Sequence, residues 1–167
     1  MQIRAEKNRD KAAVQALNRA AFGSNAEADL VDALRAQANP VISLVAVDDG
    51  AVIGHIMFSP ATLSADPDAR AIALGPMAVA PERQRQGIGS ALVRAGLDEC
   101  RRLGFQSVFV LGHPQYYPRF GFLPASRFAI ASQYDVPDEV FMAMELEPGA
   151  LSGRAGVMHY HKAFDGI

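Results

Sequence analysis

Leu74-Gly75-Pro76-Met77-Ala78-Val79-Ala80-Pro81-Glu82-Arg83-Gln84-Arg85-Gln86-Gly87-Ile88-Gly89-Ser90-Ala91-Leu92 is the stretch whose reading decides the fold. An apolar run ends at Pro81, a basic loop containing glycines follows, and the loop opens into a helical pattern that runs to Leu103. The spacing places Ile88, Ala91, Leu92, Ala95 and Leu103 inward and Arg94, Asp98, Arg101 and Arg102 outward. Gly104 is well placed to stop this helix, and Phe105 to Leu111 reads as the next strand. A strand–loop–helix order gathers free backbone N–H groups and the positive end of a helix in one place. It predicts an anion site, most simply for a phosphate. Gly87 and Gly89 let the backbone approach such a ligand closely, and Arg83 and Arg85 add positive charge beside it.

Working outward, Met1 to Ala5 reads as an edge strand and Asp10 to Phe22 as a helix with Val14, Leu17 and Ala21 on one face. Ser24-x-x-Glu27 has the form of a capping box ahead of a second helix bearing Leu30, Val31 and Leu34, which Asn39-Pro40 ends. Val41 to Val47 and Ala51 to Ser59 form a hairpin around Asp48-Asp49-Gly50. Pro60 to Asp68 reads as a loop and Ala69 to Val79 as a third long strand, with a bulge or bend at Gly75-Pro76. Gly112 to Gly121 is irregular and aromatic. Val140 to Leu146 is a further strand, and Gly156 to His161 is expected to pair antiparallel with it. The order predicts an α/β (α+β) chain: a mixed, mostly antiparallel sheet with helices on both faces.

Three phosphate-binding patterns separate on spacing. A P-loop needs Gly, four residues and Gly-Lys-Ser/Thr, and no such run occurs. A dinucleotide fingerprint needs a third glycine where Leu92 stands. What remains, Gln84-x-x-Gly87-x-Gly89 between strand and helix, resembles the acetyl-CoA loop of the GNAT N-acetyltransferase family, Gln/Arg-x-x-Gly-x-Gly/Ala. The bland alternative is a plain strand-to-helix turn. A second constellation, His113-Pro114-Gln115-Tyr116-Tyr117-Pro118-Arg119-Phe120-Gly121-Phe122, resembles the family's YhbS-like branch, in which Tyr-x-x-x-Gly-Phe follows the fifth strand. That branch commonly carries Gly-Asp-Pro before the tyrosines; Gly112-His113-Pro114 departs from it. His113 therefore either caps the next turn, as the acid would, or faces substrate.

The resemblance covers roughly residues 3 to 147 and implies a sheet that splays apart after the fourth strand, seating acetyl-CoA between the fourth and fifth strands. It implies one N-acetyltransferase domain over residues 1–167, with a core of about 3–147 and a C-terminal strand extension of 148–167. It implies acyl transfer from the thioester to a primary amine by direct attack in a ternary complex. That chemistry needs a cradle for the pyrophosphate, a donor to the thioester oxygen, a base for the ammonium and an acid for the thiolate. By the family pattern, Gln84, Arg85, Gln86, Gly87, Ile88, Gly89 and Ser90 supply the cradle. The backbone of Met77, Ala78 and Val79 pairs with pantetheine and polarises the carbonyl, and the plain reading is that Met77 and Val79 are core. Tyr117 is expected as the general acid and Tyr116 as a packing partner for pantetheine, against the reading of both as aromatic packing around Phe120 and Phe122.

The base has several readings. Glu27 is a candidate, because the first two helices overhang the amine side in the family, yet it also fits a capping box. His55 shares a strand face with Ile53, Met57 and Ser59 and fits a structural, hydrogen-bonded histidine as well as a base. His113 is a third, and deprotonation through water needs no dedicated residue. His159 and His161 flank Tyr160 on one strand face, but no carboxylate or cysteine is spaced to complete a metal site, so no metal is expected.

Composition bounds the rest. The chain has 167 residues, half of them hydrophobic, enough for one domain with a sizeable core. A net charge of −2 argues against nucleic acid as partner. The single cysteine, Cys100, fits a reducing cytoplasm, and the longest apolar run is too short to span a membrane. No basic-then-apolar leader opens the chain, so a cytoplasmic protein is expected. Acidic stretches at Asp66 to Asp68 and Asp135 to Glu139 suit either a cationic acceptor or solvated loops. The family often dimerises through C-terminal strands, so a homodimer is a further expectation. A non-catalytic acyl-CoA sensor is the reading from a different class: it too needs Gln84 to Gly89, but only the enzyme needs Tyr117.

Overall fold

Alternation within one strand sets the layers. Met57 packs with Val14 of the first helix, with Leu30, Val31 and Leu34 of the second and with Val45 of the neighbouring strand. On the opposite pleat, Phe58 and Gly54 meet the third helix. A Cβ on Gly96 would lie 2.2 Å from the Phe58 ring, and one on Gly54 would lie 2.9 Å from Leu92. Helices therefore cover both faces of this strand, as the period-2 pattern requires.

The computed structural model describes residues 1–166. The elements are β1 (Gln2–Ala5), α1 (Lys11–Phe22), α2 (Ala26–Gln37), β2 (Ile42–Asp48), β3 (Ala51–Leu63), β4 (Asp66–Val79), α3 (Ile88–Arg102), β5 (Ser107–Leu111), β6 (Leu123–Pro124), β7 (Ile130–Ser132), β8 (Phe141–Glu145) and β9 (Gly156–His159), with short 3₁₀ turns between them. They divide between two compact units. The first holds Met1–Ser59, Gly75–Glu99 and the chain from Lys162; the second holds Pro60–Leu74 and Cys100–His161. In the first unit β1–β2 and β2–β3 are antiparallel, with Gln2 opposite Val47 and Ser43 opposite Met57. In the second, β4 pairs parallel with β5 over Ala71↔Ser107 to Leu74↔Val110, and β8 pairs antiparallel with both β5 and β6.

The β4–β5 ladder ends at Leu74. The next residue, Gly75, has φ +136°, a region that excludes most side chains, and the Gly75–Pro76 peptide is cis. The bend expected at this dipeptide is present. Burial of α3 follows Ile88, Leu92, Val93, Gly96, Leu97 and Cys100; Ala91, Ala95 and Leu103, expected inward, are half-buried. The stripe is rotated because Gly96 admits the Phe58 ring directly beneath the helix.

Three local expectations are corrected. Pro60 to Asp68 is not a loop: β3 runs to Leu63, β4 begins at Asp66, and only Ser64-Ala65 turn between them. The polar residues there form the end of a long hairpin, and Thr62 and Leu63 are paired with His159 and Met158. β9 does not pair with β8. It lies antiparallel to the end of β3 and parallel to β7, a strand too short and mixed to stand out in the sequence. His161 lies beyond β9, so it does not share a strand face with His159.

Candidate active site

The loop before α3 is built as an exposed run of backbone. Gln84, Arg85, Gln86 and Gly87 are exposed, whereas Ile88 is 3% exposed and anchors the helix start. Arg85 has φ +63° and Gly87 φ +84°, so two left-handed residues turn the chain sharply just ahead of α3. An added Cβ on Gly87 would meet no atom within 4 Å, so that side of the turn is open. Gly87 C=O accepts from Ala91 N–H at 3.0 Å, the first bond of the helix, while Gly89 and Ser90 fall in its first turn. The dipole of a four-turn helix thus ends on an exposed, glycine-lined bend. The loop charge is less than expected. Arg83 is bound to Asp48 at 2.8 Å and to Gln86, whereas Arg85 has no hydrogen bond or ion pair among the described residues. The last turns of β4 lead into this loop. Met77 and Val79 are half-buried rather than core, while Ala78 and Ala80 pack against Leu17 of α1. Gln84 Nε2 donates to Val79 C=O at 3.2 Å, tying the loop to the strand end.

The aromatic turn belongs to the second unit. Backbone N–H groups of Tyr116 and Tyr117 donate to His113 C=O at 3.1 and 3.4 Å, so the main chain of His113 opens the turn. The His113 side chain is exposed and makes no hydrogen bond among the described residues. Tyr117 is 7% exposed and packs edge-on against Tyr116 at 5.1 Å and Phe122 at 5.7 Å. A Cβ on Gly112 would fall 2.3 Å from its ring, so the glycine before His113 is what lets the ring lie flat on the chain. Burial pushes the Tyr117 phenol up to about 12, with a smaller contribution from Tyr116. Tyr116 is half-buried and lies under the Arg119 guanidinium at 4.5 Å.

The capping box at Ser24 and Glu27 does not form. Asn25 occupies the N-cap position without a side-chain bond to the helix, and Ser24 Oγ only accepts from Ala26 N–H at 3.4 Å. Glu27 instead shares a face with Leu30, Val31 and Leu34, and its Oε2 is buried with no hydrogen-bond partner. Buried acceptors are ordinarily paired, so an unpaired carboxylate oxygen requires an explanation.

His55 shows the opposite condition. It is fully buried, and its neutral form is favoured: burial pushes its pKa down to about 4, against a smaller upward pull from Glu6. Ser43 Oγ lies 2.8 Å from Nε2 and donates to Glu6 Oε1 at 2.9 Å. A hydroxyl has one proton, so Nε2 must carry the hydrogen and Nδ1 must accept. Asn18 Nδ2, 3.4 Å from Nδ1, points at that acceptor. Arg35 completes the chain by donating to both Glu6 oxygens and to Asp32 at 2.6 Å. Every partner of the imidazole is accounted for, which makes His55 a structural residue. Ser59, on the same strand face, was not legible as special; its Oγ is buried and has no partner.

Among the described residues, no group of three or more His, Cys, Asp or Glu side chains is placed to hold a metal, and no helix is long and apolar enough to cross a membrane. Residues 11–122 match the model of the acetyltransferase (GNAT) family. The chain is similar to the uncharacterized N-acetyltransferase YhbS of Escherichia coli, 36% identical over 166 residues that cover 99% of both chains. It is also similar to the uncharacterized N-acetyltransferase YjhQ of the same organism, 38% identical over 86% of this chain and 84% of the other. The crystal structure of Escherichia coli YhbS in complex with CoA superposes with a TM-score of 0.92 at 35% identity, over 98% of this chain and 91% of the other. A GNAT family acetyltransferase from Brucella melitensis in complex with acetyl-CoA superposes with a TM-score of 0.81 at 36% identity, over 98% and 97%.

Proposed function

The chain belongs to the GNAT acetyltransferase family, and from that premise we propose that it transfers an acetyl group from acetyl-CoA to a primary amine by direct attack in a ternary complex. The observation that carries this reading is the exposed bend at Arg85 and Gly87, open on its outer side and seated on the N-terminus of α3. It fits an anionic pyrophosphate: the N–H groups of the first turn donate, Arg85 supplies an unspent charge, and no Cβ obstructs Gly87. The complexes of the two similar proteins with CoA and acetyl-CoA support the donor's identity.

In this reading the amides of Met77 to Val79 hold the pantetheine arm and polarise the thioester carbonyl. Pairing of β4 with β5 stops at Leu74, ahead of these residues, which supports that role. Glu27 takes the proton of the incoming ammonium, a role favoured by its unpaired buried oxygen and by the absence of the expected cap. Tyr117 serves the leaving thiolate. With a pKa raised to about 12, the phenol is protonated throughout the working pH range. It first stabilises developing negative charge on sulfur as a hydrogen-bond donor, and proton transfer follows as the charge grows. Tyr116 packs beside the pantetheine arm.

The test measures free thiol released from acetyl-CoA with a panel of amines, and initial rates with both substrates varied. Intersecting double-reciprocal lines are expected for direct attack. Parallel lines would indicate an acetylated enzyme instead, and CoA binding without thiol release from any amine would leave a sensor.

A further inference from the structure

The hydrogen-bond chain through His55 closes on itself within the first unit. Arg35 Nε donates to Glu6 Oε1 at 2.9 Å, a second guanidinium nitrogen donates to Glu6 Oε2, and the third donates to Asp32 at 2.6 Å. Asp32 in turn accepts from Gln15 Nε2. Gln15 and Asn18 lie three residues apart on α1, and Asn18 meets the imidazole. The circuit thus runs from α1 to α2, the chain just after β1, β2, β3 and back to α1. Glu6 is tied to the sheet a second time, because its own N–H donates to Ser43 C=O at 2.9 Å. The Glu6 and Arg35 side chains are 6% and 13% exposed, so solvent and salt screen this pair little.

Only the second half of α2, at Asp32 and Arg35, enters the circuit. The first turn, which carries Glu27, has no side-chain cap, and the connection Gly23, Ser24 and Asn25 ahead of it is exposed. Leu30, Val31 and Leu34 hold the helix against Val14 and Met57. Hydrophobic burial is non-directional and resists a small roll of the helix only weakly. The directional bonds at Arg35 are what fix that roll. Glu27 and Arg35 stand eight residues apart, about 12 Å along the axis and about 80° around it. A roll released at Arg35 therefore swings the Glu27 carboxylate across the sheet face. Glu27 makes no hydrogen bond or ion pair of its own among the described residues, so its place is set by the helix that carries it.

We propose that Arg35 is a positioning residue for the Glu27 carboxylate: its fork to Glu6 and Asp32 fixes the roll of α2 and, with it, the turn that bears Glu27. The proposal rests on the acetyl-transfer reading, in which Glu27 takes the proton of the amine, and adds the group that holds the base in place.

The experiment compares Arg35→Lys with the wild type, each with and without Glu27→Gln. Lysine keeps a positive charge beside the buried Glu6 but cannot span Glu6 and Asp32 together. Thermal melting checks the fold, and Asp32→Ala, at the exposed end of the circuit, takes the place of Arg35→Lys if that variant does not fold. The kcat for thiol release from acetyl-CoA, with the fastest amine of the panel, should fall roughly tenfold in Arg35→Lys, while KM for acetyl-CoA holds. In the Glu27→Gln background the same substitution should cause no further loss, because residues acting through one step are not additive. A loss of equal size in both backgrounds overturns the proposal, as does wild-type kcat in Arg35→Lys beside a full loss in Glu27→Gln. A second readout needs no turnover. The side-chain carboxyl ¹³C resonance of Glu27, assigned by its disappearance in Glu27→Gln, should move in Arg35→Lys towards that of the exposed Glu82. An unmoved resonance overturns the proposal whatever the activity. A moved resonance with wild-type kcat in Glu27→Gln, or with no thiol release from any amine, keeps the positioning role and removes the base reading.

Discussion

The loop Gln84–Gly87 and the turn Tyr116–Phe120 stand at opposite extremes of construction. The loop is exposed and held by backbone conformation: two left-handed residues, Arg85 and Gly87, the second with empty space where a side chain would be. The turn is packed ring against ring, with Tyr117 in edge-on contact on two sides. A site made of backbone tolerates most side-chain changes and fails when a Cβ intrudes. A site made of buried side chains fails when one functional atom is removed, even if volume is conserved.

The largest effect that can break this comparison is at Tyr117. Tyr117→Phe keeps the ring and its edge contacts but removes the proton, so kcat should fall by about 10²- to 10⁴-fold with little change in the Kd for CoA. If Tyr116→Phe shows that loss and Tyr117→Phe does not, the acid is Tyr116; if neither does, protonation comes from solvent. Glu27→Gln comes next. Taking one proton from the attacking amine is worth about 10²-fold or more, so kcat should fall by that factor. An unaltered rate would assign deprotonation to water.

The buried chain at His55 is a third kind of construction, polar and fully paired, and it sharpens the contrast with Glu27. The folded state holds His55 near pKa 4, below the ordinary 6.5 of the unfolded chain. Between these values the unfolded state binds more protons, so stability is full above about pH 6.5 and is lost as pH falls towards 4. The loss should reach about 3 kcal/mol, read as a drop in the urea midpoint. A midpoint that stays flat across that window would mean that the imidazole charges freely in the fold.

Smaller effects belong to the loop. Gly87→Val imposes a branched side chain at φ +84° and fills the open side of the bend, so the Kd for CoA should rise at least about tenfold. A folded variant with wild-type affinity would remove the backbone cradle. Arg85→Ala should weaken CoA binding by only about two- to fivefold, and that difference should fade at high salt, because an exposed charge is screened.

Legibility in the sequence followed the range of the physics involved. The loop was readable because glycine placement, strand termination and helical period are local, and each narrows backbone conformation within a few residues. The same holds for the bend at Gly75-Pro76 and the turn at Asp49-Gly50, where φ is positive at both residues. The hairpin end at Pro60 to Asp68 was misread because its polar residues look like solvent-exposed loop, while their pairing partner, β9, lies almost a hundred residues away. Ser24-x-x-Glu27 matched a capping box by spacing, yet the helix starts with Asn25 as its cap, and Glu27 is half-buried with its Oε2 out of solvent.

The sequence by itself determined the strand–loop–helix unit, the two family motifs and the mixed α/β order, since each depends on conformational preferences of neighbouring residues. Only the tertiary structure decided which polar groups are spent. Arg83 and Asp66 have ionic partners, His55 has a hydrogen bond at each nitrogen, and Glu27 Oε2, Asp135 and Arg85 are left unanswered. That division depends on contacts between residues distant in sequence. A charged side chain reads the same in a sequence whether or not the fold brings it a partner.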